Sequence, residues 1–118
     1  MPDRIVYKIA PRALWSDAEK AGRLVGSPVD LADGYIHFST ASQVEETLRR
    51  HYAGKDDLLL VAVDTAGLGD ALKWEPSRGG DLFPHLHAPL PLSAVRWTRP
   101  LPMRPDGTHD LPPLEREA

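Results

Sequence analysis

A chain of 118 residues, 42% of them hydrophobic, is long enough to bury one core and too short for two, so a single domain is expected. A formal charge of −3 argues against nucleic acid as the main partner, and the lack of cysteine excludes disulfides, thiolate catalysis and Cys-ligated zinc or iron–sulfur clusters. With no apolar run of about 18 residues and no basic-then-apolar leader, neither a membrane span nor a secretory signal is expected. The composition points to a soluble, cytoplasmic protein that binds a small ligand.

In chain order, residues 4–9 alternate as a first strand, with Ile5, Tyr7 and Ile9 on one face and Val6 and Lys8 on the other. Pro11 stops it. Ser16 and Glu19 have the spacing of a capping box and Gly22 suits a left-handed helix end, so the pattern predicts a short helix over 17–21, with an earlier entry from Pro11 as the alternative. Trp15 is expected to plug the core and close this helix onto a sheet. Residues 26–34 are polar and turn-rich and predict a loop.

Asp33-Gly34 then makes a turn into Tyr35-Ile36-His37-Phe38-Ser39. On a pleat Ile36 and Phe38 share the core face, while Tyr35, His37 and Ser39 look toward solvent or a cleft. Thr40 and Gln43 form a Thr-x-x-Gln box that predicts a helix over 41–52, with Val44, Leu48 and Tyr52 inward and Glu45–Arg49 and Glu46–Arg50 paired outside. Its first amides lie close to His37, a place to hold an anion such as a phosphate. His51, on the last turn, reads as structural, and Gly54 ends the helix.

The unbroken apolar run 58–64 predicts a strand buried on both faces. After the turn at 67–69, Leu72-Lys73-Trp74-Glu75 alternates, and Pro76 stops it. Glu75 is the carboxylate to single out, because it stands at a strand end before the flexible 77–80 loop; a surface pairing with Arg78 is the alternative. That loop has neither the spacing nor the following helix of a phosphate loop. From Phe83 to Leu92 the prolines predict a stiff, extended segment along a sheet edge, with His85 and His87 pointing the same way toward His37 or Glu75. Residues 94–99 alternate as a last strand. The expected division is an α+β domain over 1–99 and a Pro-rich, poorly packed tail over 100–118, in which His109 is idle.

Taken together, Tyr7-Lys8-Ile9, the 33–40 stretch with Gln43, Trp74-Glu75 and Phe83-Pro84-His85-Leu86-His87-Ala88-Pro89-Leu90 recur in an order that resembles the bacterial family called domain of unknown function 952, over about residues 4–99. That resemblance implies an ADP-ribosylation-like α+β fold, in which two small splayed sheets and short helices surround a central cleft that holds NAD in active enzymes. It implies His37 and Glu75 as catalytic candidates. His37 would grip a phosphate or ribose, and Glu75 would hold a ribose hydroxyl as nicotinamide leaves. Ser39, Thr40, Arg78, Phe83, His85 and His87 are the candidates for binding NAD or ADP-ribose.

Three other readings stay open. One is a non-catalytic module that uses the same cleft for a nucleotide or small acid. Another is a metal site at His85 and His87, disfavoured because no glutamate follows at a useful spacing and Pro89 and Pro91 interrupt the chain. In the last, the histidines serve the fold alone.

Overall fold

The structure is a computed structural model that describes residues 4–114. In order, the chain forms β1 (Ile5–Pro11), α1 (Arg12–Ala21), β2 (Arg23–Leu24), α2 (Pro28–Asp33), β3 (Ile36–His37), α3 (Val44–His51), β4 (Leu58–Asp64), β5 (Leu72–Pro76), β6 (Leu82–Leu86), β7 (Leu90–Pro91) and β8 (Val95–Leu101). The strands make three antiparallel sheets, ordered β1-β4-β8, β2-β7 and β3-β6-β5. This is a small mixed α+β architecture with few helices.

The first sheet is covered on both sides, which is why β4 reads as an unbroken apolar run: alternate residues feed two cores. Leu59, Val61 and Val63 join Val6, Trp15, Ile36, Phe38 and Leu86 between the sheets. Leu60 and Ala62 join Ile5, Tyr7, Ile9, Val44, Leu48 and Leu101 under α3. Lys8 shares the Val6 face of β1, so its side chain enters the layer between the sheets. The sheets are stitched where Tyr7 and Ser39 exchange backbone hydrogen bonds of 2.7 and 2.8 Å. That bridge brings the segment after β3 against the middle of β1.

Several local expectations are revised. Helix α1 enters directly from Pro11 and runs through Ser16, so the Ser16–Glu19 box is not used; Gly22 ends it with φ 82°, as expected. Residues 28–33 are not loop but helix, started by a full capping box in which the Ser27 side chain accepts from the Asp30 amide and Asp30 accepts from the Ser27 amide. Only half of the Thr40–Gln43 box forms: Gln43 Oε1 accepts the Thr40 amide, while Thr40 Oγ1 turns to Ser42, and α3 starts at Val44. On α3, Glu46 takes both Arg49 and Arg50, in place of two separate pairs.

The stiff 83–92 segment does not wrap an edge. Its first part is β6, the middle strand of its sheet. Pro84 is tolerated there because its carbonyl still accepts the Phe38 amide, and the missing N–H falls where the β3 ladder has already ended. Between residues 100 and 114 the chain stays packed. Leu101 is 2% exposed, Met103 bridges His109, and His109 is buried with Nε2 2.6 Å from the Lys55 carbonyl. Leu111 and Leu114 lie against the α3 core, so apolar residues between the prolines anchor a stretch whose composition reads as tail.

Candidate functional site

The register of the β3-β6-β5 sheet puts His37 opposite His85, Lys73 opposite His85 and Glu75 opposite Phe83. Since alternate residues share a face, His37, Phe83, His85, Lys73 and Glu75 stand on one side of this sheet. Ile36, Phe38, Trp74 and Leu86 pack into the core on the other. Tyr35, just before β3, lays its ring on that polar face. It stacks on His85 with centroids 4.2 Å apart and touches His37 at 4.7 Å and His87 at 5.1 Å.

Two carboxylate centres flank the four rings. On one side Glu75 Oε1 receives His85 Nδ1 at 2.9 Å and His87 Nε2 at 2.8 Å, and Oε2 takes part in neither contact. The hydrogen bonds from His87 and His85 hold the Glu75 carboxyl below its ordinary range. Burial pushes His85 below the ordinary histidine value despite the carboxylate beside it, so His85 is a neutral ring donating Nδ1–H.

On the other side Asp30, with no exposed side-chain surface, lies 2.8 Å from Lys8 Nζ and 2.6 Å from His37 Nδ1. It also accepts the Ser27 amide at 2.9 Å and the His37 amide at 3.2 Å. Burial alone would raise Asp30; the His37 bond, the Lys8 charge and hydrogen bond, and the Ser27 amide together bring it well below the usual carboxylate range. The other ring nitrogen of His37, Nε2, faces Asp33 Oδ2 at 2.9 Å. Gly26 makes room for this arrangement, because a Cβ there would come within 2.7 Å of the Asp30 Cβ.

Between these groups and α3 lies a pocket of about 510 Å³, lined by Lys8, Asp30, Asp33, His37, Ser39, Thr47, His51, Lys55, Phe83 and His85 among others. Of the residues singled out from the sequence, His37, Ser39, Phe83 and His85 line it. Ser39 is buried and its hydroxyl donates to Thr47. Glu75 and His87 stand beside the pocket wall, joined to it through His85. Thr40 is buried away from the pocket with its hydroxyl on Ser42. The side chain of Arg78 lies outside the described residues. His51 does end α3, but it also borders the pocket.

Lys8, Asp30 and Tyr35 were not among the sequence candidates. The signal for Asp30 was present in Ser27-Pro28-x-Asp30, a capping-box spacing with proline at the first helical position. Lys8 was marked only by being the one charge within an apolar strand. No group of three or more His, Asp or Glu among the described residues is arranged to hold a metal ion. No helix among them is long and apolar enough to cross a membrane.

A small α+β domain with an imidazole- and carboxylate-lined pocket is the class the geometry defines. Residues 9–98 match the family model described as "Protein of unknown function (DUF952)", and the chain belongs to that family. None of the curated proteins matches it. It is similar to the crystal structure of protein CC0527 from Caulobacter crescentus, at 46% identity and a TM-score of 0.87, covering 90% of this chain and 93% of that one. It is also similar to the solution structure of the same protein, at 47% identity and a TM-score of 0.80, covering 89% of this chain and 90% of that one.

Proposed function

We propose that the pocket binds a nucleotide of the NAD or ADP-ribose type, in an ADP-ribosylation-like arrangement of the two three-stranded sheets around a central cleft, within a cytoplasmic protein. The observation that carries this reading is the grouping of His37, His85 and Glu75 on one sheet face beside a pocket of about 510 Å³, inside the roughly 300–1,000 Å³ that small-ligand sites occupy. The donor set suits the ligand. Histidine rings and Lys55 offer N–H groups to phosphate oxygens, and Glu75 keeps Oε2 free of both histidine contacts to accept a ribose hydroxyl. His37 and Glu75 are the residues assigned to ADP-ribosyl transfer, with Ser39, Phe83 and His85 on the pocket wall and Thr40 and His87 behind or beside it; Arg78 is the remaining candidate for binding the ligand.

A second reading, a binding module without catalysis, is favoured by one observation: Glu75 stands outside the pocket wall and is tied by two imidazoles. Isothermal titration with NAD and ADP-ribose, followed by an assay for released nicotinamide, separates the readings. Saturable binding with nicotinamide release that is lost in His37→Ala and Glu75→Gln supports the enzyme. Binding without release supports the module. Binding of neither nucleotide overturns both as stated.

A further inference from the structure

His37 is held between two carboxylates of very different character. Asp30 grips Nδ1 at 2.6 Å from a position without exposed side-chain surface, anchored by Lys8, the Ser27 amide and the His37 amide. It sets the plane of the ring and the tautomer, in the way a carboxylate behind a functional imidazole does. Asp33 faces Nε2 at 2.9 Å, but its side chain is 43% exposed and it sits on the last residue of α2, directly before the left-handed Gly34. Among the described residues it makes no other hydrogen bond or ion pair. A rotation of its side chain toward solvent clears Nε2 without disturbing the helix.

The charges make that rotation consequential. Carboxylate oxygens lie within 2.9 Å of both ring nitrogens of His37, while Lys8 balances the buried Asp30, so Asp33 alone faces the Nε2 side. With Asp33 turned away, Nε2 faces the pocket with no carboxylate opposite it, and Lys55 also stands on the pocket wall. We infer that the Asp33 carboxylate occupies, from within the chain, an oxyanion subsite at His37 Nε2, and that a phosphate group of the ligand displaces it. This rests on the pocket being the ligand site proposed above, and it assigns the ligand's phosphate to a particular atom.

The test uses the full chain, with inorganic pyrophosphate as the simplest probe. Titration calorimetry is expected to show Asp33→Asn binding pyrophosphate about fivefold more tightly than the parent protein, the upper end of what a half-exposed ion pair contributes. The double variant Asp33→Asn with His37→Gln is expected to lose the gain. In ¹⁵N spectra of the parent protein, pyrophosphate is expected to move the His37 Nε2 resonance more than Nδ1, a readout independent of any fold change in the variants.

Equal affinity in Asp33→Asn and the parent, a gain that survives His37→Gln, or no pyrophosphate binding to either protein would overturn the subsite. Its failure is distinguishable from failure of the nucleotide reading. Pyrophosphate binding that depends on Asp33 and His37, without any ADP-ribose binding, leaves the subsite standing and removes the nucleotide. ADP-ribose binding indifferent to Asp33 does the reverse.

Discussion

Lys8 on β1 and Asp30 on α2 meet at 2.8 Å with 4% and 0% of their side chains exposed, a buried ion pair that joins the first sheet to the helix carrying the candidate site. The partners are unequally provided for. For Asp30 the surrounding donors outweigh burial and favour the carboxylate, whereas for Lys8 burial outweighs the single carboxylate that opposes it and lowers the ammonium's pKa. Four contacts on one side against one on the other account for the difference.

Asp30→Ala is therefore expected to destabilise the protein by about 3–5 kcal/mol, because it leaves Lys8 charged and buried alone and also frees the Ser27 amide. Lys8→Met is expected to cost less, since Asp30 keeps His37 and two amides. Urea unfolding of both variants measures the ordering. A smaller loss for Asp30→Ala than for Lys8→Met would contradict it.

Acidification should weaken the fold in two stages. His85 has a folded value lowered from 6.5, chiefly by burial, so the unfolded chain takes the proton first and stability falls as the pH drops below 6.5 toward that lower value. Asp30 is lowered from 3.8, so its contribution is present above 3.8 and is lost as the pH falls through its folded value. Both signs agree: stability rises with pH across each window. A melting-temperature profile should show a shoulder just below pH 6.5 that flattens in His85→Gln, and a steeper loss below 3.8 that does not. A flat profile through the first window in the parent protein would count against a buried neutral His85.

Glu75→Gln separates the uses of that side chain. Glu75 is 36% exposed and the amide keeps an acceptor for the His85 and His87 donors, so the unfolding free energy should fall by no more than about 1 kcal/mol. ADP-ribose binding should weaken modestly while nicotinamide release disappears. Loss of both stability and binding together would make Glu75 a structural residue.

Leu101→Ala is expected to cost about 2–5 kcal/mol, because Leu101 is 2% exposed and packs with Ile5, Leu58 and Leu60 beneath α3. Chemical denaturation of this variant, beside a chain ending at residue 99, tests whether the Pro-rich end belongs to the folded unit. An unchanged midpoint in both would restore the reading of that end as a loose tail.

Periodicity alone identified β1, the doubly buried β4, the core face of Ile36 and Phe38, the inward stripe of α3, and the convergence of His85 and His87 on Glu75. Those features follow from which side chains can leave water, and the spacing of apolar residues records that directly. The helix at 28–33 was legible in its capping box but masked by a turn-rich composition, and the packed stretch over 100–114 was masked by its prolines. What no local pattern carries is the meeting of Lys8 on β1 with Asp30 on α2, or the stacking of Tyr35 on His85. Those contacts join segments far apart in the chain, and sheet pairing with the Tyr7–Ser39 bridge brings them together.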